Sequence, residues 1–228
     1  MRRAAPSVAA VVTTVLLGST VLTGCSSDAG AVTTNGGAGA GAPSAPPATA
    51  EPASTLAGLI VVPAGYVKAG SPDPDQLTGP FDAESYLGTL SSTPSEDRAL
   101  LLNASFIEGY QAYRVSADKK KRFTVQLFKA GSKAKARGLQ QGFWQQDSHS
   151  RSFAIPGVPE AMTDARVVVS GSANRSEAIA EASFVVGALV AEISVHQTGE
   201  VTADLVPDTA LISSIAKQQK ALLTRNSG

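Results

Sequence analysis

Apolar and polar positions along this chain fall into two periods, one near 3.6 residues and one near two. The helical period is clearest from Pro207 to Thr224, where Leu211, Ile215, Gln218 and Leu222 lie on one stripe and predict a terminal helix. A second helix is expected from Gly131-Ser132 to about Gln146, with Ala136, Leu139 and Phe143 at spacings of three and four. Gly138 and Gly142 weaken that helix by about 1 kcal/mol each. Thr93-Pro94-Ser95-Glu96 reads as a helix start with a capping box, leading through Leu100, Leu101 and Leu102 to about Ala104. A short helix is expected over Phe81 to Leu90.

The period-two stretches predict strands over Phe106 to Val115 and Phe123 to Lys129, joined by a hairpin loop at Ala117 to Lys121. Three more strands are expected after the Ile155-Pro156-Gly157-Val158-Pro159 break: Ala165 to Ser170, Glu177 to Val185, and Ala188 to His196. Near Thr55 an aliphatic run, Leu56 to Val62, opens the folded part and ends in a turn at Pro63 to Tyr66. Hairpins followed by helices imply an α+β fold, an antiparallel sheet with helices packed on one face. Ala104-Ser105-Phe106-Ile107-Glu108-Gly109 matches Ala182-Ser183-Phe184-Val185-Val186-Gly187 at four of six positions. The sharp reading is a duplication, with halves 55–154 and 155–228; the bland one is chance among small residues.

The first 24 residues have the order of a signal peptide: Arg2 and Arg3, an uncharged apolar zone from Val8 to Leu22, then small residues. The apolar zone falls short of the roughly 20 residues a permanent membrane helix needs. From Ser26 to Ser54, 25 of 29 residues are Ala, Gly, Pro, Ser or Thr, which reads as a disordered tether with a reach of roughly 30 Å. The expected division is therefore signal peptide 1–24, Cys25 with its tether to 54, and a globular domain 55–228.

Leu22-Thr23-Gly24-Cys25 resembles the lipobox of bacterial lipoproteins. The resemblance implies that diacylglycerol is attached to the Cys25 thiol, that cleavage makes Cys25 the mature N-terminus, and that the domain sits on the extracytoplasmic face of the cell membrane. Further palmitate-type acylation would make the anchoring stable. Cys25 is the single cysteine, so a disulfide or thiolate-metal function for the domain is not expected. The tether, "PGVPEA" at 156 to 161, "ASFVVG" at 182 to 187 and the Gln- and Lys-bearing terminal helix resemble uncharacterised secreted lipoproteins of actinomycetes. That likeness implies location and fold class, and no activity.

Charge adds polarity to this picture. Arg114 to Arg137 holds nine basic residues against Asp118 alone, although the whole chain carries 19 basic and 19 acidic side chains. Lys119, Lys120, Lys121 and Arg122 at the hairpin tip, Lys129 on the strand, and Lys133, Lys135 and Arg137 on the next helix form a candidate surface for anionic headgroups or wall polymers. The alternative is charge for solubility. Nucleic acid is not expected as a partner.

Candidate chemistry is sparse. Asp147-Ser148-His149-Ser150 contains triad residue types, but loop neighbours rarely hold triad geometry, and no Gly-x-Ser-x-Gly elbow is present. His196 reads as a strand-edge residue. The two histidines make no metal set, and Asp73 and Asp75 lack the further oxygens of a calcium loop. No catalytic residue, metal or cofactor is expected. Tyr110, Tyr113, Phe143 and Trp144 are candidate pocket residues, with core packing as the alternative. The reading is a lipid-anchored, non-enzymatic module that binds a ligand, an anionic envelope surface or a partner protein. The alternatives are a hydrolase using His149 or His196, or a sensor or structural docking domain.

Overall fold

The structure, a computed structural model, describes residues 55–69, 78–169, 176–200 and 205–227. Cys25, the signal and tether segments, and Asp73 and Asp75 lie outside the described residues. Among the described residues seven strands form one antiparallel sheet: β1 (Tyr66–Val67), β2 (Gly79–Phe81), β3 (Glu108–Ser116), β4 (Lys121–Lys129), β5 (Met162–Val169), β6 (Ser176–Val186) and β7 (Leu189–Gly199). Their order is β1-β3-β4-β7-β6-β5, with β2 also on β3. The helices are α1 (Ala83–Ser85), α2 (Pro94–Asn103), α3 (Lys133–Gln146) and α4 (Thr209–Arg225). A π-helical turn, Tyr86–Leu90, follows α1. This is the expected α+β class.

Strand register explains the layers. Phe123, Val125 and Leu127 of β4 stand opposite Val195, Ile193 and Ala191 of β7, which stand opposite Ala180, Ala182 and Phe184 of β6. Because side chains alternate across a strand, all nine share one face, and each is at most 1% exposed. Helix α4 covers them with Ile212, Ile215, Ala216 and Leu223. On the opposite face the apolar cluster lies at one end. There Phe128 and Val190 pack against Ala136, Leu139 and Phe143 of α3, with Phe81, Tyr86, Leu87 and Leu101 completing a second core.

Helices thus cover both faces of the sheet, not one, because each face carries its own apolar cluster. Of the two readings of the internal similarity, duplication gains no support at the matched segments. Ala104 to Ile107 forms the turn leaving α2 and the approach to β3, whereas Ala182 to Val186 is the end of β6, so the two copies are not structural equivalents. The β4 to β7 pairing fuses the two proposed halves into one sheet.

Local signals were read unevenly by residue type. Ser132 caps α3 as expected, its side chain accepting from the Lys135 amide. Thr93 makes no side-chain cap. Instead Ser91 Oγ accepts from the Thr93 amide at 3.2 Å and donates to Asp97 Oδ2 at 2.5 Å. Gly142 belongs in α3 for a packing reason: a Cβ there would meet a Leu100 methyl at 2.3 Å, so glycine lets α2 approach α3. The buried stripe of α4 sits one residue on from the expected one at most positions. Ile212, Ile215, Ala216, Gln219 and Leu223 are buried, while Gln218 is exposed.

Two buried glutamines hold these helices to the rest of the fold. Gln219 is fully buried, accepts from the Val61 amide at 2.8 Å and donates to the Leu59 carbonyl. It satisfies a backbone segment that no strand pairs. On the other face Gln140 Nε2 donates to the Ser183 carbonyl at 2.8 Å, fixing α3 to β6. Replacing Gln219 by Leu strands both backbone groups, and urea unfolding of Gln219→Leu should show a loss of about 1–3 kcal/mol with an unchanged m-value.

Candidate functional site

Beyond Phe128 and Val190 the second face turns polar. In register it presents Arg122, Thr124 and Gln126 of β4, His196, Ser194 and Glu192 of β7, and Ile179, Glu181 and Ser183 of β6, with Glu177 one step beyond Ile179 on the same face. Helix α3 ends above this surface at Gln146, and the space beyond it is a cleft of about 260 Å³. Thr124, Gln126, Glu181, Ser183, Glu192, Ser194 and His196 form its floor, with Phe143, Trp144 and Asp147 on the helical side and Arg166 of β5 on the far side. An adjoining cavity of about 190 Å³ shares Gln126, Phe143, Asp147 and Glu192 and adds Tyr86, Thr93 and Asp97.

The β5 side is held by a charge network. Asp164, whose side chain is fully buried, accepts from the Ser150 and Arg151 amides at 2.6 and 2.8 Å and from Arg166 at 2.6 Å. Burial alone would raise its pKa, but the Arg166 bond and the two amides outweigh that and hold the carboxyl below its usual range. Arg166 also pairs with Glu181, so its charge is spent between two carboxylates. By fixing 150–151, Asp164 sets the chain that follows α3. Just before it His149 stacks on Trp144, ring centroids 3.9 Å apart and 11° from parallel, and its Nε2 lies 3.8 Å from Glu181.

Glu192 differs from its neighbours. It lies at the junction of the two cavities, and no basic side chain pairs with it among the described residues. Burial, then the charges of Glu181, Asp147 and Asp97, push its carboxyl up to about 8. Glu177 shows the reverse: a hydrogen bond from His196, 3.2 Å away, holds it at about 2 against the penalty of burial, with Arg122 assisting. Tyr86 is raised, chiefly by burial and then by Glu192 and Asp97.

Of the aromatic pocket residues expected from sequence, Phe143 and Trp144 line the cleft. Tyr113 is buried on the cleft face of β3 without lining it, and Tyr110 packs on the opposite face against the α4 core. The eight basic candidates are divided rather than joined. Lys119, Lys120, Lys121 and Arg122 lie at one end of β4, and Lys129, Lys133, Lys135 and Arg137 at the other, separated by roughly 24 Å of strand. Lys121 pairs with Asp208 at 2.6 Å, Arg122 with Glu177, and Lys129 with Glu108 at 3.2 Å, while Lys135 hydrogen-bonds Ser105. Lys119, Lys120, Lys133 and Arg137 are exposed.

His149 and His196 both reach the cleft region, each beside a carboxylate, and neither hydrogen-bonds a hydroxyl among the described residues. Sequence reasoning missed Glu181, Glu192, Ser183, Asp97, Asp147 and Arg166 as site residues. A signal was available in Glu181 and Glu192, carboxylates flanked on both sides by apolar residues in the middle of their strands.

No protein-family model matches the chain, and no curated protein matches it. Among solved structures, the extracellular domain of PknH from Mycobacterium tuberculosis aligns at 11% identity and a TM-score of 0.30, over 57% of this chain and 68% of that one.

The two shifted carboxylates separate by pH. Glu192 binds a proton more tightly folded than unfolded, so it lowers stability progressively as pH rises from about 4.5 to about 8. Glu192→Gln should therefore leave the melting temperature nearly unchanged at acid pH and raise it increasingly up to that limit, in thermal melts across the range. Asp164 has the opposite sign: its contribution is present at neutral pH and lost as pH falls through its lowered pKa. Asp164→Asn should cost about 1–3 kcal/mol at neutral pH, and the deficit should shrink in acid.

Proposed function

We propose that this chain is an extracytoplasmic binding module, anchored through lipid on Cys25, that holds a small polar ligand in the cleft over β4, β7 and β6. The observation that carries the reading is the cleft itself. One end of a sheet face is sealed by α3, and the remainder is a concave polar floor beside a tryptophan. Pockets that combine an aromatic wall with a few converging polar groups are where small ligands bind. The anchor and location rest on the signal-peptide order, the Leu-Thr-Gly-Cys motif and the tether. Binding of an anionic surface has less support, because the basic residues lie at two ends of β4 and several are paired.

Trp144 is the single tryptophan, so its emission reports on the cleft. In a thermal-shift screen of small polar solutes with the full chain in detergent, stabilising compounds should also shift Trp144 emission. Ser194→Phe, which fills the floor, should abolish both effects; hits that survive it would place binding elsewhere. For the anchor, Cys25→Ala expressed in a bacterial host should move the protein from the membrane fraction to the soluble one.

A further inference from the structure

The two edges of the sheet are finished differently. On the β3 side two short strands cover the edge, β1 of two residues and β2 of three, with Pro80 in the second. Short strands and proline keep an edge from pairing with another chain. On the other side β5 is closed only along its first half. The Ala165 amide donates to the Arg151 carbonyl at 2.9 Å, and Thr163 Oγ1 accepts from the Phe153 amide at 2.9 Å and donates to the Phe153 carbonyl at 2.5 Å. The chain at 150–153 thus lies along the start of β5, and its cover stops at Ala165.

What is left open is Val167-Val168-Val169, 42%, 47% and 64% exposed, with neither a charge nor a proline among them. Arg166, the residue before, is turned to Asp164 and Glu181. Backbone groups of a strand point alternately to its two sides, so the outward bond of Ala165 places those of Val167 and Val169 outward too. Among the described residues they have no hydrogen-bond partner on that side. Three apolar side chains beside two outward peptide groups make an edge of the kind that takes up another strand.

We infer that this edge pairs with the same edge of a second copy, β5 antiparallel to β5 about a two-fold axis at Val168. The occupied bond of Ala165 selects the axis. An axis at Val167 would set Val169 of the second copy against Ala165, whose amide is already bonded to Arg151, and an axis at Val169 would reach beyond β5. An axis at Val168 sets Val167 against Val169 of the second copy, each such pair exchanging two hydrogen bonds, and brings the two Val168 side chains together on the cleft face. No like charges meet within the three residues, and the two-fold makes their apolar surface self-complementary.

The size of the contact also points to a second copy. Three residues of strand from each side fall well short of the roughly 1,000 Å² that a stable complex in solution buries. The pairing therefore needs partners already concentrated beside one another, as copies anchored through Cys25 to one membrane are. The two-fold runs perpendicular to the sheet, so both α4 layers lie on one side. Leu56, just inside the point where the tether joins, packs in that layer, so both tethers leave toward the same membrane. These last two steps rest on the anchoring proposed above; the register does not.

Cys25 is the single cysteine, so the folded part has none, and an introduced one reports its neighbours directly. Val168→Cys, Val167→Cys, Val169→Cys and Val67→Cys are expressed as full chains in a bacterial host, and the membrane and soluble fractions are mildly oxidised and run on non-reducing gels. Val168→Cys should dimerise most, because opposed residues that exchange no hydrogen bonds have Cα atoms about 4.5 Å apart, within disulfide reach. Val167→Cys and Val169→Cys lie two residues out of register with their own copies and should give about tenfold less dimer. Val67→Cys, 54% exposed on the opposite edge, should give none above the wild type. Adding Val167→Lys and Val169→Lys to the Val168→Cys chain opposes like charges at exposed positions and should cut the dimer about tenfold with the melting temperature kept. A Val168→Cys chain that stays monomeric, only matches Val67→Cys, links to a protein of different mass or keeps its dimer with both lysines would overturn the inference. The anchor is read separately. Wild-type chain found in the soluble fraction would remove the anchoring, while a Val168→Cys dimer in a Cys25→Ala background would still uphold the pairing; membrane-bound chain without the dimer would remove the pairing alone.

Discussion

The structure depends on the alternation of β4, β7 and β6 at the centre of the sheet. Their register gives one face nine apolar side chains that share one core with α4, and the other face a pattern that changes from Phe128 and Val190 to Gln126, Glu192, Thr124 and Ser194 within a few residues. A helix can be packed tightly only where the face is apolar. So α4 finds a full-length bed, while α3 seats its Ala136, Leu139 and Phe143 at one end and leaves the rest uncovered. The cleft is the consequence of that half-length cover.

Polar groups then decide how the layers are held. Gln219 and Gln140 are buried amides, one on each helix layer, and each satisfies backbone that the sheet leaves over. Asp164 does the same for the chain leaving α3, and thereby sets where Trp144 and His149 lie at the cleft mouth. The same low-dielectric surroundings that make these bonds worth forming raise Glu192, which has no cation beside it, and the charged partners of Glu177 lower it. Two glutamates on neighbouring strands of one face are thus driven to opposite ends of the carboxylate range by their partners.

Much of the fold was legible because periodicity and capping are local. The strands β3, β4, β6 and β7, the Ser132 cap and α3 all lie close to where the pattern puts them. Errors came where neighbours outside the segment decide the outcome. Thr93 lost its cap role to Ser91 and Asp97, Gly142 reads as a helix defect until Leu100 is packed on it, and β5 begins at Met162 because it pairs there with Ser183 of β6. The basic run from Arg114 to Arg137 is contiguous in sequence but is drawn out along β4 into two groups, so one-dimensional charge density was a poor guide to a surface.

The sequence by itself determined the α+β class and most of the elements, because these rest on the period and chemistry of adjacent residues. Only the tertiary structure decided which helix lies on which face, that the two sequence halves share one sheet, and that Glu192, Ser183, Asp147, Asp97 and Trp144 border one cleft system. The physical reason is that register between β4, β7 and β6 brings together side chains more than fifty positions apart. Burial and charge at Glu192 exist only once those strands and α3 are in place.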